Sequence, residues 1–488
     1  MSRRLVIGPF NRVEGDLEVT LDVVDGRVAS ARVSSSLYRG FEQILSGKHP
    51  HDALVIVPRI CGICSVSQSV AAAAALADAT GLAMPANGRL AQNLILACEN
   101  LADHLTHFYL FFMPDFARDA YCGRRWHATV EPRFKAAVGD ALKTMLPARA
   151  DFLRVMGYLA GKWPHSLALQ PGGTTRAVTP TEKVRLFAVL REFRAFLETM
   201  LFGDALENVS GLTTPAALDA WAAGRSSDFA RFLDIADDLA LASMGRATDI
   251  FLSHGAYRSG SGGDCLLPSG VWAGTGALLD AQLISEDVAH AWLHGSAPRH
   301  PTQGETRPLT GEFDAQGDKV DAYSWCKAPR YAGRVAETGA LARLMVAGHP
   351  LLRALVAADG GNVKTRVIAR LMEFALVVPA MERWAHALVP GEPFCNAWKL
   401  PEEGCGAGLV EAARGALGHW LRIEKGRIAS YQIIAPTTWN FSPRDAAGVP
   451  GALEQALVGL PVGETERSPL AVQHVVRSFD PCMVCTVH

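Results

Sequence analysis

The sequence predicts a mixed α/β protein, predominantly helical. An N-terminal β-hairpin or sheet over about residues 1–36 precedes a bundle of long helices around a buried metal site. Three observations carry this. Residues 4–36 alternate apolar and polar side chains and turn at Asp25-Gly26, a hairpin signal. Helix formers dominate from Ser65 to about Met113, and again over 180–255 and 335–392. Two Cys-x-x-Cys pairs, Cys61/Cys64 and Cys482/Cys485, stand near opposite ends of the 488-residue chain.

Each such pair can grip one soft metal ion from a single turn. The spacing between the pairs is unusual. A zinc ribbon brings its two knuckles from within about 15–20 residues, whereas here nearly the whole chain intervenes. A metal held by both pairs ties the first tenth of the protein to its last residues, which suits a site deep inside one large fold. A structural zinc or iron–sulfur staple is the alternative.

Composition narrows the class. Hydrophobic residues make up 49% and charged residues 20%, as in a globular protein. A formal net charge of −2 gives no electrostatic footprint for nucleic acid or a membrane surface. The ten cysteines do not cluster as a disulfide framework, so a reducing, cytoplasmic setting is expected. The Arg3-Arg4 start lacks a following apolar segment. The runs Ala71–Ala79 and Leu105–Met113 fall short of the ~20 residues of a membrane span. One domain over 1–488 is expected.

In chain order, Leu17–Val23 and Val28–Val33 form the hairpin, and Glu14 precedes it, on composition a surface-loop carboxylate. Glu42 in Arg39-Gly40-Phe41-Glu42 reads as a solvated helix-entry residue. Cys64 precedes an alanine-rich run and is expected at a helix N-terminus, which favours its thiolate. A second helix is predicted over about Leu90–Met113; on it Asp103 and His107 share a face, with His104 between them. The glycines of Gln170-Pro171-Gly172-Gly173-Thr174-Thr175 mark a loop, and no Gly-Lys-Ser/Thr makes it a phosphate loop. Pro180-Thr181-Glu182 opens a further helix. From Tyr257 to Glu312 the density of Gly, Pro and Ser predicts irregular connections, with Gly262, Gly263 and an inert Cys265. Cys326 reads as a buried hydrophobe.

The pairs Arg59-Ile60-Cys61-Gly62-Ile63-Cys64 and Asp480-Pro481-Cys482-Met483-Val484-Cys485-Thr486-Val487-His488 resemble the signatures of the [NiFe]-hydrogenase large subunit. The match continues through Arg12-Val13-Glu14-Gly15, Gly161-Lys162-Trp163-Pro164-His165, Tyr323–Tyr331, Glu411–Trp420 and Pro436–Asn440. The resemblance implies nickel on Cys61, Cys64, Cys482 and Cys485. Cys64 and Cys485 would bridge to an iron that carries carbon monoxide and cyanide. It implies Glu14 as a buried proton relay, Asp103 and Asp480 beside the metals, and Arg414 and Thr437 as donors to the cyanides. On that resemblance the base that takes the proton from H2 would be Cys482 or Arg414. Glu42, the carbonyl of Ile433 and His488 would hold Mg2+. His165 would face the partner, and His104 and His107 would pack and hydrogen-bond. Proline commonly precedes the arginine where this chain has Ala413. The remaining cysteines lack cluster spacing, so electrons would leave through iron–sulfur clusters in a small subunit, as a heterodimer or a dimer of heterodimers.

Within the family, Gln68 in place of histidine, Ile63 in place of valine and Phe111 in place of leucine resemble the H2-sensing, regulatory group. That group is O2-tolerant, turns over slowly and signals through a histidine kinase. An end at His488 without an extension agrees with a sensor, and equally with a processed catalytic subunit. A catalytic H2-uptake hydrogenase is the alternative reading, and a zinc-stapled structural protein the remote one.

Overall fold

A computed structural model describes residues 2–260, 264–295, 297–309, 319 and 321–488, and is 45% helical. Strands β1 (Ser2–Ile7), β2 (Leu17–Val24) and β3 (Arg27–Ser35) form an antiparallel sheet in that order. Asp25 and Gly26 turn the hairpin at φ 48° and 73°, the left-handed pair that matches strand twist. Val19 opposes Val33 and Leu21 opposes Ala31, all buried on one face.

Helix α1 (Phe41–Leu45) carries Glu42. Helix α2 (Ser65–Thr80) starts directly after Cys64, as its composition predicts. Helix α3 (Ala86–Thr106) starts before the predicted Leu90 and passes into a π-helical turn over His107–Phe112. Helix α4 (Pro180–Phe196) opens with a reciprocal cap between Thr179 and Glu182.

The stretch expected to be irregular from Tyr257 is partly a sheet. Strands β4 (Phe251–Arg258) and β5 (Cys265–Trp272) pair antiparallel. Its alternation is hidden because β4 is buried on both faces up to Tyr257. Residues 261–263, 296 and 310–312 of that stretch, Gly262 and Gly263 among them, lie outside the described residues. The region 335–392 is helical as predicted and ends in α5 (Val363–Ala387), capped by Asn362.

Strands β6 (Gly404–Ala412), β7 (Gly415–Glu424) and β8 (Arg427–Ile434) form an antiparallel meander. The alanines of α2 meet the glycines of β6. A Cβ on Gly406 would lie 2.1 Å from the Ala75 carbonyl oxygen, and one on Gly408 1.9 Å from that of Ala71. Small residues on both sides let the two backbones touch. That contact brings Arg414, just past β6, over the first turn of α2. Helix α6 (Leu470–Phe479) then delivers the last cysteine pair. One apolar cluster runs from Ile7 to Cys485. Among the described residues, no single helix is long and apolar enough to cross a membrane.

Candidate metal centre

The two cysteine pairs converge. Their four sulfurs lie within 4.8 Å of one another and all are buried. Cys61 Sγ is 3.4 Å from Cys482 Sγ, Cys64 Sγ 3.0 Å from Cys485 Sγ, and Cys482 Sγ 3.0 Å from Cys485 Sγ. Cys61 follows a 3-10 turn, Cys64 is the N-cap of α2, and Cys482 and Cys485 follow α6. Bonds among the thiols raise Cys64 above the ordinary thiol range, and burial raises Cys482 and Cys485. Bonding from Cys482, Cys485 and Cys64 lowers Cys61 well below that range. Four buried sulfurs become thiolates together only around a cation, so the donor set fits a soft metal. It is the one such cluster among the described residues. Cys326 is buried against the Lys327 carbonyl, and burial holds its thiol well above the usual range, as expected of a hydrophobe.

Arg39, outside the predicted set, ties the two pairs together. Its guanidinium donates to the carbonyl oxygens of Ile60 and Val484, and its own N–H to that of Val487. Glu14 is latched in the same place: its N–H donates to Pro481 and its carbonyl accepts from Met483 at 2.7 Å. Glu14 is half-buried in this chain rather than fully buried. Burial and nearby Cys61 raise its carboxyl above the ordinary range.

Arg414 stands over the thiols. Its Nη1 is 2.9 Å from Asp103 Oδ2, its Nη2 3.2 Å from Asp480 Oδ1, and its Nε donates to the Asp480 carbonyl at 2.9 Å. Burial disfavours the cation, but Asp103 and Asp480 outweigh it and hold Arg414 well above the ordinary range; burial pushes Asp103 itself up to about 8 against the pull of Arg414, whereas Arg414 outweighs burial at Asp480 and holds it below the ordinary range. Thr437 Oγ1 accepts the N–H of Cys482 at 3.0 Å, which leaves its own O–H to donate. Cys64, Gln68, Arg414, Thr437, Cys482 and Cys485 line one small enclosed cavity.

His104 bonds Glu373 at 2.8 Å and His107 the carbonyl of Arg477 at 2.7 Å, so both pack and hydrogen-bond as expected. His165 is half-buried, with Nδ1 2.9 Å from the Pro58 carbonyl beside the first cysteine motif. Ile63 packs on the main core, whereas Phe111 is half-buried outside that cluster.

Glu42 is buried rather than solvated, because α1 packs against the free edge of β8. Its Oε1 accepts the Ile433 N–H at 2.7 Å and lies 3.3 Å from His488 Nε2. In an extended strand a residue's N–H and C=O leave on the same side, so the Ile433 carbonyl faces Glu42 too. Sequence reasoning missed Lys327 here: its Nζ is 3.2 Å from both Glu42 oxygens, 3.3 Å from Glu286 and 2.9 Å from Gln432 Oε1. Burial pushes Glu42 up, but Lys327 and His488 pull it down to about 2. Glu286 Oε1 is buried without a partner. These oxygens and the imidazole fit a small hard cation beside the ammonium.

The sequence pattern of the nickel-dependent hydrogenases matches residues 39–121 and 132–488. This chain belongs to that family. It is an oxidoreductase acting on H2, and its four cysteines make a cluster able to hold metal. The hydrogenase chain is 31% identical to the periplasmic [NiFeSe] hydrogenase large subunit of Desulfomicrobium baculatum, over 99% of its own length and 95% of that protein. It is 28% identical to the hydrogenase-1 large chain of Escherichia coli (strain K12), over 100% and 95%. The reduced Ni-Fe-Se hydrogenase structure of D. vulgaris Hildenborough superposes with a TM-score of 0.85 at 29% identity, covering 100% of both chains. The predicted mixed α/β large-subunit fold is the fold found.

Proposed function

We propose that this hydrogenase chain is the active-site subunit of a [NiFe] enzyme that cleaves H2 heterolytically and passes the electrons to an iron–sulfur small subunit. The observation that carries this reading is the meeting of four buried thiols beneath an arginine held by two carboxylates. Cys61, Cys64, Cys482 and Cys485 would hold nickel, with Cys64 and Cys485 also on an iron carrying carbon monoxide and cyanide. When bound, that metal pair supplies the Lewis acid and electron acceptor for H2. The chain's own groups handle the proton. Asp103 and Asp480 keep Arg414 a fixed cation, which leaves the Cys482 thiolate as the base. Glu14, latched at both residues flanking Cys482, takes the proton outward. Arg414 and the Thr437 hydroxyl offer donors to the iron's ligands. Glu42, the Ile433 carbonyl and His488 would hold Mg2+, with Lys327 sharing the neutralisation.

The relatives support a catalytic, H2-uptake role over a sensing one: they are named as hydrogenase enzymes. Gln68, Ile63 and Phe111 favour the second reading, an H2 sensor that signals to a histidine kinase. H2-driven reduction of a dye by the heterodimer tests both. Turnover in the usual ~1–1000 per second range supports uptake, and a far slower rate supports sensing. No H2-dependent reduction by the metal-loaded complex contradicts H2 cleavage itself.

A further inference from the structure

Helix α2 begins at the metal centre, and its N-cap is Cys64. An N-cap side chain ordinarily accepts the N–H of the second or third helical residue. Here those residues are Val66 and Ser67, and Cys64 takes neither N–H. Both go to Glu99 of α3. Val66 N–H donates to Glu99 Oε2 and Ser67 N–H to Oε1, each at 2.8 Å. The Ser67 hydroxyl adds a third bond, 2.9 Å to Oε1, and the Trp163 indole N–H a fourth, 3.0 Å to Oε2. Glu99, Val66 and Ser67 are all buried, so bulk water does not compete for these groups. The Cys64 sulfur lies instead 3.0 Å from that of Cys485.

Four donors on two oxygens are the pattern of an ionised carboxylate. Burial pushes the Glu99 carboxyl up to about 7, against the pull of all four. A negative charge also suits the N-terminal end of a helix. A Cys64 thiolate would suit the same end for the same reason. Glu99 and Cys64 therefore compete for one pair of N–H groups, and both groups go to Glu99. Glu99 stands one turn before Asp103 on the same face of α3. One helix thus fixes the start of α2 with its first carboxylate and Arg414 with its second.

We propose that Glu99 is a positioning residue: it caps α2 in place of Cys64, and so keeps the Cys64 sulfur free of backbone donors and turned towards Cys485. This rests on the nickel–iron reading above. A donor on a thiolate withdraws electron density from the metals it binds. By holding the Val66 and Ser67 N–H groups, Glu99 keeps Cys64 an electron-rich ligand without touching the centre.

The test is infrared spectroscopy of the complex with its iron–sulfur subunit, on the wild type and the variants Glu99→Leu, Glu99→Gln and Trp163→Phe. In Glu99→Leu both N–H groups are free to turn to Cys64, which weakens back-donation. The carbon monoxide and cyanide bands are therefore expected to move to higher wavenumber. Glu99→Gln keeps one acceptor oxygen and frees one N–H, so a smaller shift in the same direction is expected. Trp163→Phe removes one bond to Glu99 and leaves the cap, so its bands are expected to stay in place. Unmoved bands in Glu99→Leu, or an equal shift in Trp163→Phe, overturn the proposal. Equal shifts in the two Glu99 variants overturn it too, since Glu99 would then act through its charge alone. If Glu99→Leu does not load metal, Glu99→Gln decides: a shift to higher wavenumber supports the cap, and unmoved bands contradict it. If neither loads metal, the thermal midpoint of Glu99→Gln decides. A midpoint that holds puts the loss at the thiol, as proposed, and a collapsed one shows a residue that serves the fold alone. Absence of these bands in the wild type overturns the nickel–iron reading itself, and this inference with it.

Discussion

Arg414 Nη1 lies 2.9 Å from Asp103 Oδ2 in a place closed to solvent. Asp480, held below the ordinary carboxyl range, keeps this guanidinium charged, so in the proposed mechanism it steadies negative charge and does not accept a proton. Arg414→Lys keeps the charge and loses the fork. Its H2 oxidation is expected to fall about 100-fold, with the pH profile in place. A profile shifted to lower pH with activity retained would show the residue at 414 acting as the base.

Glu14 is fixed by its backbone, so its side chain can be changed without loosening the motif. Glu14→Gln is expected to lower H2 oxidation by about 100- to 10,000-fold while the thermal midpoint and metal content hold. Near wild-type activity would remove Glu14 from the proton route.

The contact between Gly408 and Ala71 sets how closely β6 lies on α2, and with it the height of Arg414 above Cys64. Gly408→Ala places a carbon 1.9 Å from a carbonyl oxygen that cannot move without moving the helix. Destabilisation of about 3 kcal/mol and reduced nickel loading are expected in unfolding and metal analysis. Unchanged stability and loading would show that the sheet can slide off α2.

Glu373 joins His104 to Arg343, at 2.8 Å and 2.6 Å, in the layer behind Asp103. Burial pushes this carboxyl up, but Arg343 and His104 outweigh it and bring it to about 2, below its ordinary 4.5. A lowered carboxyl contributes stability above the unfolded value and loses it as pH falls. Glu373→Gln is therefore expected to cost about 3–5 kcal/mol near neutral pH. The gap to the wild type should close as pH falls from 4.5 towards 2. A gap independent of pH would mean that shape, and not charge, is what Glu373 contributes.

The four-cysteine cluster was legible because each pair is local in sequence and chemically narrow: thiols two residues apart have few other uses. The hairpin was legible because Asp25-Gly26 and a one-sided face leave an alternation. The β6–β8 meander was not. Its glycines at 404, 406, 408, 415 and 418 are poor strand formers, and they are there because α2 and neighbouring chain press close. The alanine run of α2 carried half of that signal. Strand β4 was hidden by burial on both faces. Glu42 and Lys327 stand 285 residues apart, and no local rule joins a helix-entry carboxylate to a distant lysine. The Glu42–Ile433–His488 grouping came from family resemblance and is close-packed in the fold.

The most direct test of the central claim, that these four thiols hold nickel and a diatomic-ligated iron, is the infrared spectrum of the anaerobic heterodimer before and after H2. The account predicts sharp bands from metal-bound carbon monoxide and cyanide that shift on H2 addition. A complex that carries zinc on the cysteines and shows no such bands would contradict it.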